Sequence, residues 1–561
     1  MNKLGIVLTF FVLSCSLNSV LYAEKIVYIV PDEETFLYYI GEWSAQNRFP
    51  VFIDETQYYK KFVRAYAPDS VKKVESKKIG GVTIDSIFRS LAASFLDKGI
   101  EDIPLGEGFK NFSKLISLNS MPDGIVIMKE GAKEIFAGVA LAAYYTQDVF
   151  FYESGVFLTD AITRKDMNDI RNAVIGFMKD KGYSYKGRSG VEYITIAQGM
   201  PFVYNPGMSV DDALVRETLT SDDAYAYVGR LMEVEEGAAV YQAMCSLFLE
   251  TDRALFFDTW DIAWGFQTGY AAWQFFDKVP ALNIALPEAN ISYWRKFFKS
   301  NLDASFIWIN TSGGPRDWGG SGSASDIPSC SPCCVYFAHS NSARNPDDPD
   351  TICGRWLRNG AYYYVGAIKE PYAQSFQKPF NAVKGLLAGE TFGEAFQAKQ
   401  FLPGRFRIPW KQIYIGNPRA KLRFKKNNSE EFDRFKEVFI QIKNRNFNMS
   451  IKLMEDYVQD FKDFYLSMQM WQFLKELYFL DFYQSRYPDK RFLREETFIR
   501  DWVLNLTPSV IQEKNSSLSK EGNMYIFYLK NRYFMAEDKK RLKSLIGEEI
   551  FRVEGCLAPA I

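Results

Sequence analysis

The sequence predicts an α/β protein with two mostly parallel-sheet domains followed by an all-helical C-terminal module. Three observations point there. As far as residue 424, short continuous runs of β-branched and aromatic residues alternate with segments of helical periodicity, the pattern of strands buried on both faces and covered by helices. Beyond residue 425 the strand-like runs and glycine turns stop, and long amphipathic stretches rich in Phe, Tyr and Trp take over. A chain of 561 residues also outgrows one hydrophobic core, so more than one domain is required.

The first domain is read over residues 24–155. Ile26-Val-Tyr-Ile-Val30 is a strand, and Pro31-Asp-Glu-Glu34 opens a helix that continues through Phe36 to Trp43. Its acidic residues stand where the free N–H groups of a helix start favour negative charge. Residues 51–53, 71–74, 125–127 and 149–152 read as further strands, with a small-residue helix over 132–145. The second domain is read over residues 156–424. It alternates helices at 165–181 and 235–248 with strands at 193–196, 254–257, 304–309, 335–337, 360–368 and 412–415. In such sheets ligands collect where strands end at their carboxyl edge. Thr311-Ser-Gly-Gly314 and Ala338-His339-Ser340 both fall at such edges. The helical module, residues 425–561, is read as helices over 430–443, 449–483 and 495–504.

Residues 1–23 read as an export signal: Lys3 supplies the positive end, the apolar run 4–13 is too short to span a bilayer, and cleavage falls after Ala23. The rivals are a lipoprotein signal, with Val12-Leu13-Ser14-Cys15 as a lipobox and a lipid on Cys15, and a retained anchor. All three place the protein outside the cytoplasm: periplasmic, secreted or on the cell surface. No later stretch is apolar enough for a transmembrane helix, so no span is expected in the mature chain. Lys and Arg, 67 together, nearly balance 68 Asp and Glu, which argues against a nucleic-acid surface over the whole chain.

The densest chemistry is the run Cys330-Ser-Pro-Cys333-Cys334-Val-Tyr-Phe-Ala-His339-Ser340, with Cys353 a little further on. His339 is the only histidine, which rules out any mechanism needing two imidazoles in one chain. Three readings compete. Local disulfides bracing a turn suit an exported protein. Zinc held by Cys330, Cys333, His339 and Cys353 suits the ligand types, although oxidation competes with thiolate ligation in that compartment; otherwise no cofactor is expected. An active centre would use His339 as base for Cys333 or Cys334, or for Ser312 with Asp326 or Glu370 orienting the ring. Nearby, Arg355 and Glu370 read either as a buried pair bracing the sheet edge or as a clamp for a substrate carboxylate. Asp211, Asp212 and Arg216 either shape a pocket or cap a helix start. The Asn345-Pro-Asp-Asp-Pro-Asp350 loop reads as a solvated turn, being too short for an EF-hand, and the Gly319-Gly-Ser-Gly-Ser-Ala-Ser325 run as a flexible loop.

The order of elements over residues 190–420 resembles the gingipain-type branch of the caspase-like cysteine peptidases. Val228-Gly-Arg-Leu231 precedes a helix, Ile309-Asn-Thr-Ser-Gly-Gly314 is a strand entering a glycine turn with Trp318 beyond it, and Phe337-Ala-His-Ser340 is a second strand entering a small-residue turn. Gly360-Ala-Tyr-Tyr-Tyr-Val-Gly-Ala-Ile368, Leu387-Ala-Gly-Glu-Thr-Phe-Gly-Glu-Ala-Phe396 and Ile415-Gly-Asn-Pro418 follow in turn. The resemblance implies a caspase/gingipain-like second domain. In that family the first turn carries a His-Gly pair and the second the nucleophilic cysteine after Ala. Here those places hold Gly313-Gly314 and Ala338-His339, so both catalytic positions are substituted and the family's roles do not transfer.

The expected function is therefore that of a catalytically degenerate relative binding a protein or peptide at the cell envelope, with Gly313, Gly314, Ser340, Arg355 and Glu370 near the binding edge. The alternatives are a cysteine hydrolase using His339 with Cys333 or Cys334, and a structural envelope component whose aromatic helices make the contacts.

Overall fold

A computed structural model describes residues 24–118, 122–153, 161–183, 190–204, 207–221, 223–260, 266–286, 288–300, 302–371, 373–397, 411–486, 516–536 and 539–557. The export signal, Cys15 and the helix expected at 495–504 lie outside the described residues. The architecture is mixed α/β around one large, mostly parallel sheet. A small parallel sheet contains β1 (Ile26–Val30), β2 (Val51–Ile53) and β3 (Ser70–Lys73), in the order β2-β1-β3. After β1, Asp32 accepts a hydrogen bond from Thr35 N–H at 2.8 Å and starts helix α1 (Glu33–Gly41), as the acidic turn implied. Helix α2 (Gln57–Tyr66) follows β2.

The large sheet has ten strands. They are β4 (Gly124–Met128), β5 (Asp148–Phe151), β6 (Tyr193–Ala197), β7 (Tyr227–Arg230), β8 (Ala254–Asp258), β9 (Ala281–Ala285), β10 (Phe306–Asn310), β11 (Cys333–Ala338), β12 (Ala361–Ala367) and β13 (Gln412–Ile415). Their order is β9-β8-β10-β11-β12-β13-β7-β6-β4-β5. All described ladders in it are parallel except β12 with β13, so two parallel halves of opposite direction meet there.

The expected division at residue 155 does not fall between sheets. β4 and β5, read as part of the first domain, belong to the large sheet, and Gly124 stands opposite Tyr193 of β6. The physical reason is visible in β4 itself: all five of its residues are buried, so it needs a strand on each side and cover on each face.

Alternation along the central strands feeds two cores. Phe306 and Trp308 of β10, with Cys334, Tyr336 and Ala338 of β11, enter the larger one. Ile307 and Ile309, with Cys333, Val335 and Phe337, enter the core on the other face. Across the β10–β11 pair, Trp308 stacks on Tyr336 with ring centroids 3.9 Å apart. Helix α3 (Ala238–Phe248) packs on the β12 side, and α4 (Ile352–Asn359) leads into β12.

From residue 430 onward the described elements are the helices α5 (Glu430–Lys443), α6 (Phe447–Tyr457), α7 (Phe464–Arg486), α8 (Ser516–Met535) and α9 (Lys540–Leu557). The stretch expected as one helix over 449–483 is two, α6 and α7. These helices share the larger core with the sheet: Phe439 packs on Trp273 at 4.5 Å between centroids. Helix α7 also covers the sheet's outer strand, where Gln469 Oε1 accepts the Asn283 N–H of β9 at 2.9 Å. That occupies an edge donor otherwise free to pair with another chain.

Candidate functional site at the carboxyl rim of β10 and β11

β10 and β11 are adjacent and in register, Asn310 opposite Ala338, so the turns that follow them lie side by side. Thr311 N–H donates to the Ala338 carbonyl at 3.1 Å, and the Ser312 carbonyl accepts Gly319 N–H at 2.8 Å. Gly313 takes φ +152°, and a Cβ there would come within 2.3 Å of the Asp317 carbonyl and 2.5 Å of His339 Nε2. Gly314 N–H donates to both the Asp317 carbonyl and Asp317 Oδ1, each at 3.0 Å. The glycine pair thus lets residues 311–318 fold down onto the imidazole. Gly313→Ala is expected to push this turn off His339 and cost about 1–3 kcal/mol. A denaturant midpoint equal to that of the native protein would contradict it.

His339 is buried, 1% exposed. Its Nε2 lies 3.1 Å from the Asp317 carbonyl oxygen, which can only accept, so Nε2 carries the proton. Among the described residues, Nδ1 has no hydrogen bond of normal geometry. Burial brings the imidazole down to about 4, against the opposing pull of the Asp317 carbonyl, so the ring is neutral at pH 7. Thr311 Oγ1, also buried, likewise lacks a partner among the described residues. Ser340 donates its hydroxyl to Glu370, whose backbone carbonyl accepts from Lys411 Nζ at 2.8 Å.

The structure does not bring the proposed nucleophiles to this ring. Cys333 and Cys334 begin β11, and His339 follows its last residue. Five residues of strand place Cys334 roughly 16 Å from His339. Successive side chains also put Cys333 and Cys334 in different cores. Cys353 is buried in the first turn of α4, and no hydrogen bond joins it to His339 among the described residues. Burial pushes the thiols of Cys333, Cys334 and Cys353 well up, which disfavours thiolate. Nor is the zinc set assembled: Cys330 and Cys333 touch, with sulfurs 3.6 Å apart, but His339 is at the other end of the strand. No group of three or more His, Cys, Asp or Glu among the described residues is arranged to hold a metal. The described cluster cysteines are free thiols rather than disulfides.

The serine-based version also comes apart. Ser312 is exposed and its hydroxyl makes no hydrogen bond among the described residues. Asp326 is held by Arg295 through two hydrogen bonds of 2.8 Å, which keep its carboxyl down at about 2. Arg355 pairs with Asp350 at 3.4 Å instead of with Glu370, because α4 starts beside that loop. Asp348 of the same loop pairs with Arg316 at 2.8 Å. The glycine-rich run, expected as a flexible loop, instead folds: Asp317–Trp318 and Gly322–Ser323 form a small antiparallel hairpin, followed by a short 3-10 turn at Ala324–Asp326.

Three residues of this rim were not singled out from sequence. Asp317 supplies the carbonyl that orients His339. Trp260 donates Nε1–H to the Thr311 carbonyl at 2.7 Å. Asp258, at the end of β8, is buried and accepts the N–H groups of Trp260 and Thr268, both at 3.1 Å; burial still pushes its carboxyl up to about 7. A carboxylate closing the apolar run Ala254-Leu-Phe-Phe257 was the available signal for it. Comparison with known proteins finds no matching family model, no matching curated protein and no matching solved structure.

Proposed function

We propose that the protein is an exported, catalytically degenerate relative of the gingipain-type peptidases that binds a protein or peptide at the cell envelope through the rim of residues 311–314 and 339–340. The observation that carries this reading is the state of the only imidazole: buried, neutral, and with Nε2 committed to a backbone carbonyl. A base for cysteine or serine needs a thiol or hydroxyl within hydrogen-bond reach of its free nitrogen, and none of normal geometry stands at Nδ1 among the described residues. The resemblance itself requires the two motif turns to be neighbours, and β10 and β11 are paired. With the chemistry lost, the surface left at that rim is an exposed Ser312 beside the Ser340–Glu370 pair, suited to hydrogen bonding with an extended chain.

Purified residues 24–561 incubated with a peptide library under reducing conditions are expected to cleave nothing, as is the His339→Ala variant. On a peptide array the native protein is expected to retain a defined set of peptides that Ser312→Trp, which places a bulky ring on the rim, fails to retain. Cleavage by the native protein that disappears in His339→Ala overturns the degenerate reading. Unchanged retention by Ser312→Trp overturns the rim as the binding surface.

A further inference from the structure

The opposite end of the same strands carries a second site. A cleft of about 470 Å³ lies at the amino ends of β8, β10 and β11, between them and α2 of the small-sheet region. Cys330 lines it, while Cys333 lies behind, with the two sulfurs 3.6 Å apart. Cys330 Sγ also donates to the Asn359 carbonyl at 3.1 Å. Lys61 reaches over the pair, donating to Ser329 Oγ at 2.8 Å and to the Cys330 carbonyl at 3.1 Å. Lys25, Arg64 and Lys425 complete a basic wall. The other cation, Arg253, is spent on Asp252, Asp303 and Asp463. Five cations therefore line the cleft against the three carboxylates of Glu250, Asp252 and Asp303, so the mouth is net positive by two.

We propose that Cys330 and Cys333 form a thiol–disulfide exchange site whose substrate is a small disulfide carrying carboxylates. Each feature of the cleft has a part in that chemistry. The volume suits a small organic molecule. The net positive mouth draws and holds an anionic one. Two thiols already in contact, one facing the cleft and one shielded, provide an attacking and a resolving sulfur in one Cys-Ser-Pro-Cys segment.

The steps balance with the disulfide as oxidant. Cys330 Sγ, having lost its proton, attacks one sulfur of the bound disulfide; a mixed disulfide forms and the first substrate thiolate leaves, taking up a proton. Cys333, in contact with Cys330, then attacks Cys330 Sγ as its proton passes to the departing sulfur, so no free thiolate forms in the buried position; the Cys330–Cys333 disulfide forms and the second substrate thiol leaves. Two protein thiols are oxidised, and one disulfide is reduced to two thiols. The site is independent of the peptide-binding reading, since it lies at the other end of β11.

The test uses the reduced protein with oxidised glutathione as the anionic probe and oxidised β-mercaptoethanol as the neutral one, following released thiol and mapping modified cysteines by mass spectrometry. The native protein is expected to release two thiols per chain and end with a Cys330–Cys333 bond. Cys333→Ser is expected to stop at one released thiol with glutathione trapped on Cys330, and Cys330→Ser to release none. The double variant Lys61→Gln/Arg64→Gln is expected to lose about tenfold of the rate with the anionic probe and little with the neutral one. Modification centred on Cys245 or Cys353, or equal rates with both probes in the native protein, overturns the proposal.

Discussion

Replacing Arg230 with methionine is expected to destabilise the protein by about 3–5 kcal/mol. Arg230 ends β7 and is buried, with its Nε 3.0 Å from both oxygens of Asp211 and an Nη2 contact to the same carboxylate. Its other donors serve the Met200 carbonyl at 2.7 Å and the Pro201 carbonyl at 3.2 Å, and the Phe202 ring lies 4.4 Å from the guanidinium. Methionine fills much of the volume but leaves Asp211 as a buried carboxylate without its cation and two carbonyls without their donors. That desolvation cost, rather than the attraction of the pair, sets the size of the effect. Urea unfolding at pH 7 measures it. The double change Arg230→Met/Asp211→Leu is expected to recover most of the loss; a single variant within 1 kcal/mol of native would contradict this account.

The second large effect is a pH dependence assigned to one residue. In the unfolded chain His339 takes its proton near its ordinary value of 6.5, and in the fold only near 4. Between those values the unfolded state binds more protons, so this group's contribution to stability is whole above pH 6.5 and falls as pH drops through 4. The full loss is about 3 kcal/mol. Asp258 and Glu233 act in the opposite sense: burial lifts both to about 7, so their contributions are whole at low pH and fall as pH rises toward 7. Total stability therefore mixes the two. The difference between native protein and His339→Asn isolates the imidazole, since the chain has no other. It is expected to shrink by about 3 kcal/mol from pH 7 to pH 4, and a difference constant over that range would refute the buried neutral ring.

What could be read from the sequence was what is written locally. Tyr193–Ala197 and Phe306–Asn310 announce themselves as strands because burial on two faces demands a largely apolar run, and Ile26–Val30 does so through its β-branched residues, although Ile26 and Tyr28 are only half-buried. Ala281–Ala285 was missed: an alanine-rich segment with Asn283 in its middle carries little strand signal, and its place at the sheet's outer position comes from pairing with β8 and cover by Gln469. Tyr227–Arg230 carries a motif but little strand signal, because its arginine is tolerated there through Asp211, nineteen residues away. The sharing of one sheet across residue 155 had no local mark at all, since strand order is a property of distant pairing. At the rim, the positions of His339 and Gly313 at strand ends were legible. The neutrality of the ring was not, because it depends on a turn that brings the Asp317 carbonyl back over it. The partner of Arg355 also depends on a turn: the loop before α4 brings Asp350 to it at 3.4 Å.

The single antiparallel joint between β12 and β13 has a consequence for how the chain is made. β4, β6 and β7 leave the ribosome early, yet β7 meets the rest of the large sheet only through β13, where Ile415 stands opposite Arg230 and Gly416 N–H donates to the Arg230 carbonyl at 2.7 Å. Until residue 416 is synthesised, β7 and β12 each present an open edge, and the two half-sheets are held together by helix packing, that of α3 on β12 and on the helix Ile135–Tyr145, rather than by strand pairing. A four-residue strand made late is thus the weld of the molecule. Its delay opens a window during translation in which a nascent chain is most exposed to wrong pairing and to chaperones, and closing that window requires a long-range contact of the slow-forming kind.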